Sequence, residues 1–210
     1  EATNPTDEFR VFSSRERGHE YSIDHLGHQF FIMTNRDAIN FKVMTCEMHQ
    51  TKPIHWKELI PHRSEVLVEG MDLFDTFMAI FERENGLPAI RIMHNNGSDF
   101  RIDTGEAAYD IYAGMNPESD TAIFRYGFNS MITPPSTYDF DVISRQKTLL
   151  KQQEIVGGYK AADYFSERIM VPVSDGTMVP VSIVYKKSLY KKGGTAPLLQ
   201  YGYGSYGISM

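Results

Sequence analysis

Two tyrosines set among glycines, Tyr203 and Tyr206 in the stretch YGYGSYG from Tyr201 to Gly207, are the residues of this chain best suited to chemistry. A phenol at the end of an apolar run, held by flanking glycines, can aim its O–H at developing negative charge or lay its ring face against a cation. The plainer alternative is that both rings only pack, with their hydroxyls satisfied by backbone. Spacing excludes other chemistries. Nucleophilic serine on a strand-to-helix elbow needs G-x-S-x-G. The nearest approach, around Ser205, has tyrosine at position 203 where glycine is required. His19, His25, His28, His49, His55, His62 and His94 read as solvated or hydrogen-bonded surface, and none as a catalytic base. His25 and His28 bracket Gly27 with only Asp24 beside them, short of the four ligands of structural zinc, so no metal is expected. The glycines lack the Lys-Ser/Thr ending of a phosphate loop, and no cofactor is expected. Glu82, Glu84 and Asp99 read as solvated surface. So do Lys186, Lys187, Lys191 and Lys192, with an inter-domain contact as the alternative for the lysines.

The elements that must hold that loop read mostly as strands. Three units share a pattern of short runs and polar turns: Tyr21 to Thr45, Glu65 to His94, and Asp110 to Val142. Their central strands start near Phe30, Phe77 and Ile123, a spacing of roughly 46 residues, which suits the multi-strand repeat of β-propeller blades. An all-β sandwich with evenly spaced hairpins is the alternative. The second unit turns at Arg83-Glu84-Asn85-Gly86, and the third at Asn116 to Ser119 and Thr133 to Ser136. Arg145 to Ile155 is polar and reads as an edge strand, a linker or a short helix, ended by Gly157-Gly158. Two alternating runs, Glu167 to Ser174 and Thr177 to Lys186, flank Asp175-Gly176, which predicts a hairpin with a type I′ turn. Pro172 and Pro180 point to edge positions or bulges in those strands, since proline cannot donate to a ladder. Pro197 to Tyr201 reads as a buried strand leading into the glycine-tyrosine loop.

Composition sets outer bounds. Aromatic residues make up 12% of the chain, which favours strands. The formal charge of −6 gives no footprint for nucleic acid. No apolar run approaches the ~18 residues of a membrane helix. Cys46 is the lone cysteine, so no internal disulfide forms, which fits a reducing, cytoplasmic compartment. The chain opens at Glu1, and a lone parallel strand near its end cannot bury itself. The sequence therefore reads as an internal piece of a longer protein.

From Ser166 to Met210 the text SERIMVPVSDGTMVPVSIVYKKSLYKKGGTAPLLQYGYGSYGISM resembles the start of the catalytic domain in the prolyl oligopeptidase family, and YGYGSYG is similar to its oligopeptidase B branch. Upstream, TNRDAINFKV (Thr34 to Val43), FERENGLPAIRI (Phe81 to Ile92), FRYGFNSMITPPSTYDFD (Phe124 to Asp141) and LLKQQEIVGGY (Leu149 to Tyr159) resemble that family's propeller and linker in the same order. The resemblance implies a mainly β fold: the last blades of a seven-bladed β-propeller, then the first strands of an α/β-hydrolase domain. It implies boundaries of 1–150 for the blades, 151–157 for the linker and 158–210 for the start of the peptidase domain. It further implies a serine peptidase acting on short peptides, after Arg or Lys in this branch, with its Ser-Asp-His triad outside these residues. On the same resemblance Tyr203 takes the position of an oxyanion-hole donor, and Tyr206 that of a ring lining the substrate pocket. The fragment alone is expected to be inactive. A non-catalytic propeller that binds peptides or proteins is the second reading carried, and the entry strand with its YGYGSYG loop separates the two.

Overall fold

The turn Asn85-Gly86 shows how local chemistry sets this architecture. Both residues sit at positive φ, 50° and 76°, the pair a type I′ turn requires. That two-residue loop pairs Glu84 with Leu87 and zips β6 (Phe77–Glu84) onto β7 (Leu87–His94) along their whole length. Arg83 and Glu84, expected in the turn, belong to the strand. In the computed structural model, which describes residues 4, 6, 8–194 and 196–207, such hairpins build three four-stranded antiparallel sheets and one two-stranded ribbon. No α-helix occurs among the described residues.

The first sheet runs β1 (Tyr21–Leu26), β2 (Gln29–Thr34), β3 (Lys42–Glu47) and β4 (Lys57–Ile60) in sequence order. In the second, β5 (Val66–Leu73) and β8 (Asp99–Arg101) flank the β6–β7 hairpin. The third holds β9 (Tyr109–Ala113), β10 (Ile123–Ser130), β11 (Ser136–Asp141) and β12 (Lys147–Gln152), again as neighbours in order. Each sheet is thus a complete meander, and the sheets are propeller blades. The polar run after Arg145 resolves into β12, an edge strand exposed throughout. First strands of neighbouring blades lie together: burial, then the nearby Asp24 of β1, push the Asp72 carboxyl of β5 up.

Blades stack face to face, which explains why β6 does not alternate. Phe77 and Ala79 join Ile90, Ile92, Phe124 and Phe140 between the second and third blades. Met78 and Ile80 join Val43, Ile60 and Val68 between the first and second. With both faces covered, Phe77, Met78, Ala79 and Ile80 are all buried. Phe74 stacks on Phe77 at 4.2 Å and meets Phe124 edge-on at 6.0 Å, tying the second blade to the third.

The ribbon of β13 (Tyr164–Pro172) and β14 (Met178–Lys186) differs from expectation at its turn. Only Gly176 takes positive φ, 87°, and Asp175 does not. Three residues, Ser174 to Gly176, lie inside the pair in which Val173 N–H donates to Thr177 O, so the αL-glycine loop replaces the type I′ turn. The Asp175 carboxylate accepts from Thr177 N at 2.8 Å and holds that geometry.

Pro197 to Tyr201 is not the buried strand its composition suggests. It is extended but unpaired, with Leu198 and Leu199 82% and 93% exposed. A strand is made by its ladder partners, and none is present among the described residues.

Candidate functional site

The loop that carries Tyr203 is reached from β14. Lys187 anchors the strand's exit, its N–H donating to Asp163 O at 2.9 Å and its Nζ to Ala162 O at 2.8 Å. Tyr190 folds back to stack on Tyr185 at 4.0 Å. Residues 196–202 are exposed and lead to Tyr203, which is about half exposed. A 3-10 turn follows over Ser205–Gly207. Within it Tyr206 takes φ 59°, and its side chain is 94% exposed.

Both phenols therefore project from one short loop, and no described residue hydrogen-bonds the Tyr203 hydroxyl. A Cβ at Gly202 or Gly204 would meet nothing within 4 Å, so the close backbone approach expected of these glycines is not made to any described residue. Gly207 is described for its backbone only.

Two contacts seat the linker and ribbon on the blades. Arg168 of β13 donates through Nη2 to the carbonyl of Asn85, at the tip of the β6–β7 turn. Burial lowers the Arg168 pKa, and nearby Tyr109 opposes that shift. Tyr159 donates its hydroxyl to Ile132 O at 2.6 Å and stacks on Tyr164 at 5.4 Å. Beside it Thr133 Oγ1 donates to Glu106 Oε1 at 2.5 Å, while Glu106 Oε2 is buried with no hydrogen-bond partner among the described residues. Burial, then the neighbouring Tyr164 and Glu106, raise the Tyr159 phenol.

Glu82 is not solvated surface. It is completely buried in β6. Arg63 Nη2 donates to Oε1, Arg91 Nε to Oε1 at 2.8 Å, and Arg101 Nη2 to Oε2 at 3.0 Å. Arg91 and Arg101 continue to Asp99 and Glu84. Burial alone would raise the Glu82 carboxyl, but hydrogen bonds and charge from Arg63 and Arg91 outweigh it and hold it below the ordinary range. The signal in the sequence was position: Glu82 follows Met78 and Ile80 at period two on a face whose apolar members are buried.

The histidines take structural roles where they are bonded. His19 Nε2 lies 2.8 Å from the hydroxyl of fully buried Thr34, and Arg36 Nη2 is 3.3 Å from its Nδ1. Among the described residues no group of three or more His, Cys, Asp or Glu converges as a metal site. Cys46 is buried and free, and burial, then Glu47, raise its thiol pKa.

Comparison with known proteins adds a family context. Residues 1–153 match the family described as prolyl oligopeptidase, N-terminal beta-propeller domain. The chain is 43% identical over 204 residues to dipeptidyl aminopeptidase BI of Pseudoxanthomonas mexicana, covering 96% of this chain and 28% of that protein. It is 26% identical over 204 residues to Protease 2 of Moraxella lacunata, covering 97% and 29%. Among solved structures it is similar to oligopeptidase B from Trypanosoma brucei with covalently bound antipain, in its closed form. The TM-score there is 0.83 at 29% identity, over 92% of this chain and 28% of that one. The chain thus spans under a third of the length of these relatives.

Proposed function

Because the chain belongs to the prolyl oligopeptidase family, we propose that it forms the junction between propeller and catalytic domain in a serine oligopeptidase that hydrolyses short peptides. The division is blades to the end of β12 at Gln152, then a short linker to 157 and the opening of an α/β-hydrolase domain over 158–210. The nucleophile, its histidine and its aspartate lie outside these residues, which contain no G-x-S-x-G. What this chain contributes is one wall of the site. Tyr203 donates its phenolic O–H to the oxyanion that forms when serine attacks the scissile carbonyl. Tyr206 presents its ring face to the side chain preceding that bond. A face of this kind accepts an aliphatic stem and attracts its terminal cation, which fits Arg or Lys. The open setting of both phenols leaves them available for these partners. Cleavage takes place in the cytoplasm, where the lone Cys46 stays reduced. The observation that carries the reading is the 43% identity to a named peptidase over 96% of this chain.

That relative's name favours a second reading, release of dipeptides from a free N-terminus. One assay separates the two. The intact protein carrying these residues is offered short peptides ending in an arginyl fluorophore, with the N-terminus free or acetylated. Cleavage of both supports the oligopeptidase, and cleavage of the free dipeptide alone supports the dipeptidyl enzyme. Hydrolysis of neither, with no labelling by a fluorophosphonate, sinks the serine peptidase reading.

A further inference from the structure

A groove of about 410 Å³ runs between the second and third blades, bounded by β8 and the β11–β12 turn. Its apolar wall is Phe100 and Phe140, with ring centroids 6.0 Å apart. Arg101, Arg145 and Lys147 line it against a single carboxylate, Asp103. This local excess of positive charge sits in a chain whose formal charge is −6. Arg101 is tied to Glu82 and Glu84. Arg145 and Lys147 meet only aromatic faces: Arg145 Cζ lies 4.2 Å from the Phe100 centroid, and Lys147 Nζ 5.9 Å from that of Tyr138. Among the described residues neither cation has an ion-pair partner.

The backbone gives an independent reason to look here. Arg145 has φ 59°, a conformation that suits glycine or asparagine. The turn needs that geometry: Arg145 N donates to Asp141 O at 2.8 Å, while the Asp141 carboxylate accepts from Ile143 N and Ser144 N, each at 2.9 Å. It does not need an arginine. A bulky cation held in a glycine conformation, with its guanidinium carbon 4.2 Å from a ring centroid and no carboxylate on its N–H groups among the described residues, is positioned to take one.

From this geometry we propose that the inter-blade groove binds an acidic peptide segment. Its Asp or Glu side chains pair with Arg145 and Lys147, the two cations of the groove that carry no carboxylate partner among the described residues. The inference is independent of the peptidase reading, since it rests on charge and aromatic surface within the blades.

The test is fluorescence anisotropy of labelled hexaglutamate with the intact protein, in low salt and at about 150 mM. Saturable binding that weakens with salt is expected, with no binding of hexalysine. The double variant R145G/K147Q should weaken hexaglutamate at least tenfold. R145G alone should leave the thermal midpoint unchanged or raise it, because glycine suits φ 59°, so that lost binding is not lost folding. Unchanged affinity in the double variant, or absence of saturable binding, overturns the proposal. It is equally overturned if inorganic phosphate or a single-stranded oligonucleotide displaces the peptide at concentrations below those of unlabelled hexaglutamate.

Discussion

Arg91 Nε donates from the neighbouring strand to Oε1 of the fully buried Glu82 at 2.8 Å. The same carboxylate accepts from Arg63, which precedes β5, and from Arg101 of β8, so one buried anion joins three segments. Truncating Glu82 leaves Arg63 without its carboxylate and strips the largely buried Arg91 Nε of its acceptor, while Arg91 and Arg101 keep Asp99 and Glu84. Glu82→Ala is expected to cost about 3–5 kcal/mol of stability. Urea denaturation of the intact protein followed by tryptophan fluorescence measures it. A loss below ~1 kcal/mol would show the network to be peripheral.

The same carboxylate predicts a pH dependence. Its folded pKa is depressed, so the stabilisation is fully present above the unfolded glutamate value of about 4.3. It drains away as pH falls through the lower, folded value. Between pH 7 and 5 the wild-type and E82Q stabilities should therefore run parallel. Below the ordinary carboxylate range the wild type should fall more steeply than E82Q. Parallel curves down to acid unfolding would contradict the assignment.

Phe77→Ala should cost about 3–5 kcal/mol, since the ring is 1% exposed and stacked on Phe74. Leu149→Ala on the edge strand, where the side chain is 50% exposed, should change stability by no more than ~0.5 kcal/mol. Paired thermal melts check the contrast, and equal effects would mean that the stacking of the blades is misassigned.

For the loop, Tyr203→Phe in the intact enzyme removes one O–H and nothing else. The proposed oxyanion role predicts a loss of about 10²–10³ in kcat with KM nearly unchanged. Tyr206→Ala should act mainly through KM for Arg and Lys substrates. Steady-state kinetics on both variants decide, and a Tyr203→Phe enzyme with wild-type kcat would remove the phenol from the chemistry.

Much of this fold was legible because turn chemistry is local. The Gly27, Asn85-Gly86 and Gly176 corners are read from residue type, and the repeat of strands between them gives the blades. What escaped the sequence depends on partners far along the chain. Glu82 looks like any strand carboxylate until Arg63, Arg91 and Arg101 converge on it. The run Phe77 to Ile80 loses its alternation because both faces are covered by other sheets. Asp175-Gly176 suggests a two-residue turn, and only the Val173–Thr177 pairing shows the loop to be longer. Pro197 to Tyr201 failed as a strand for the converse reason: its composition is apolar, but pairing is a property of neighbours. Tyr203 and Tyr206 were singled out through family resemblance and their glycine setting, and they sit together on one open loop.

The meander order of each blade bears on how the molecule is made. Every ladder in the three sheets joins strands consecutive in the chain, so no blade waits for residues from a distant blade to finish its hydrogen bonding. Loop closure within a blade is short, and proteins rich in such local contacts assemble quickly. On a ribosome the blade ending at Arg101 can be complete while the next is still in the exit tunnel. Arrested nascent chains released just past residue 101 should already protect the β6–β7 hairpin from protease, and unprotected chains would show that the blades mature only together.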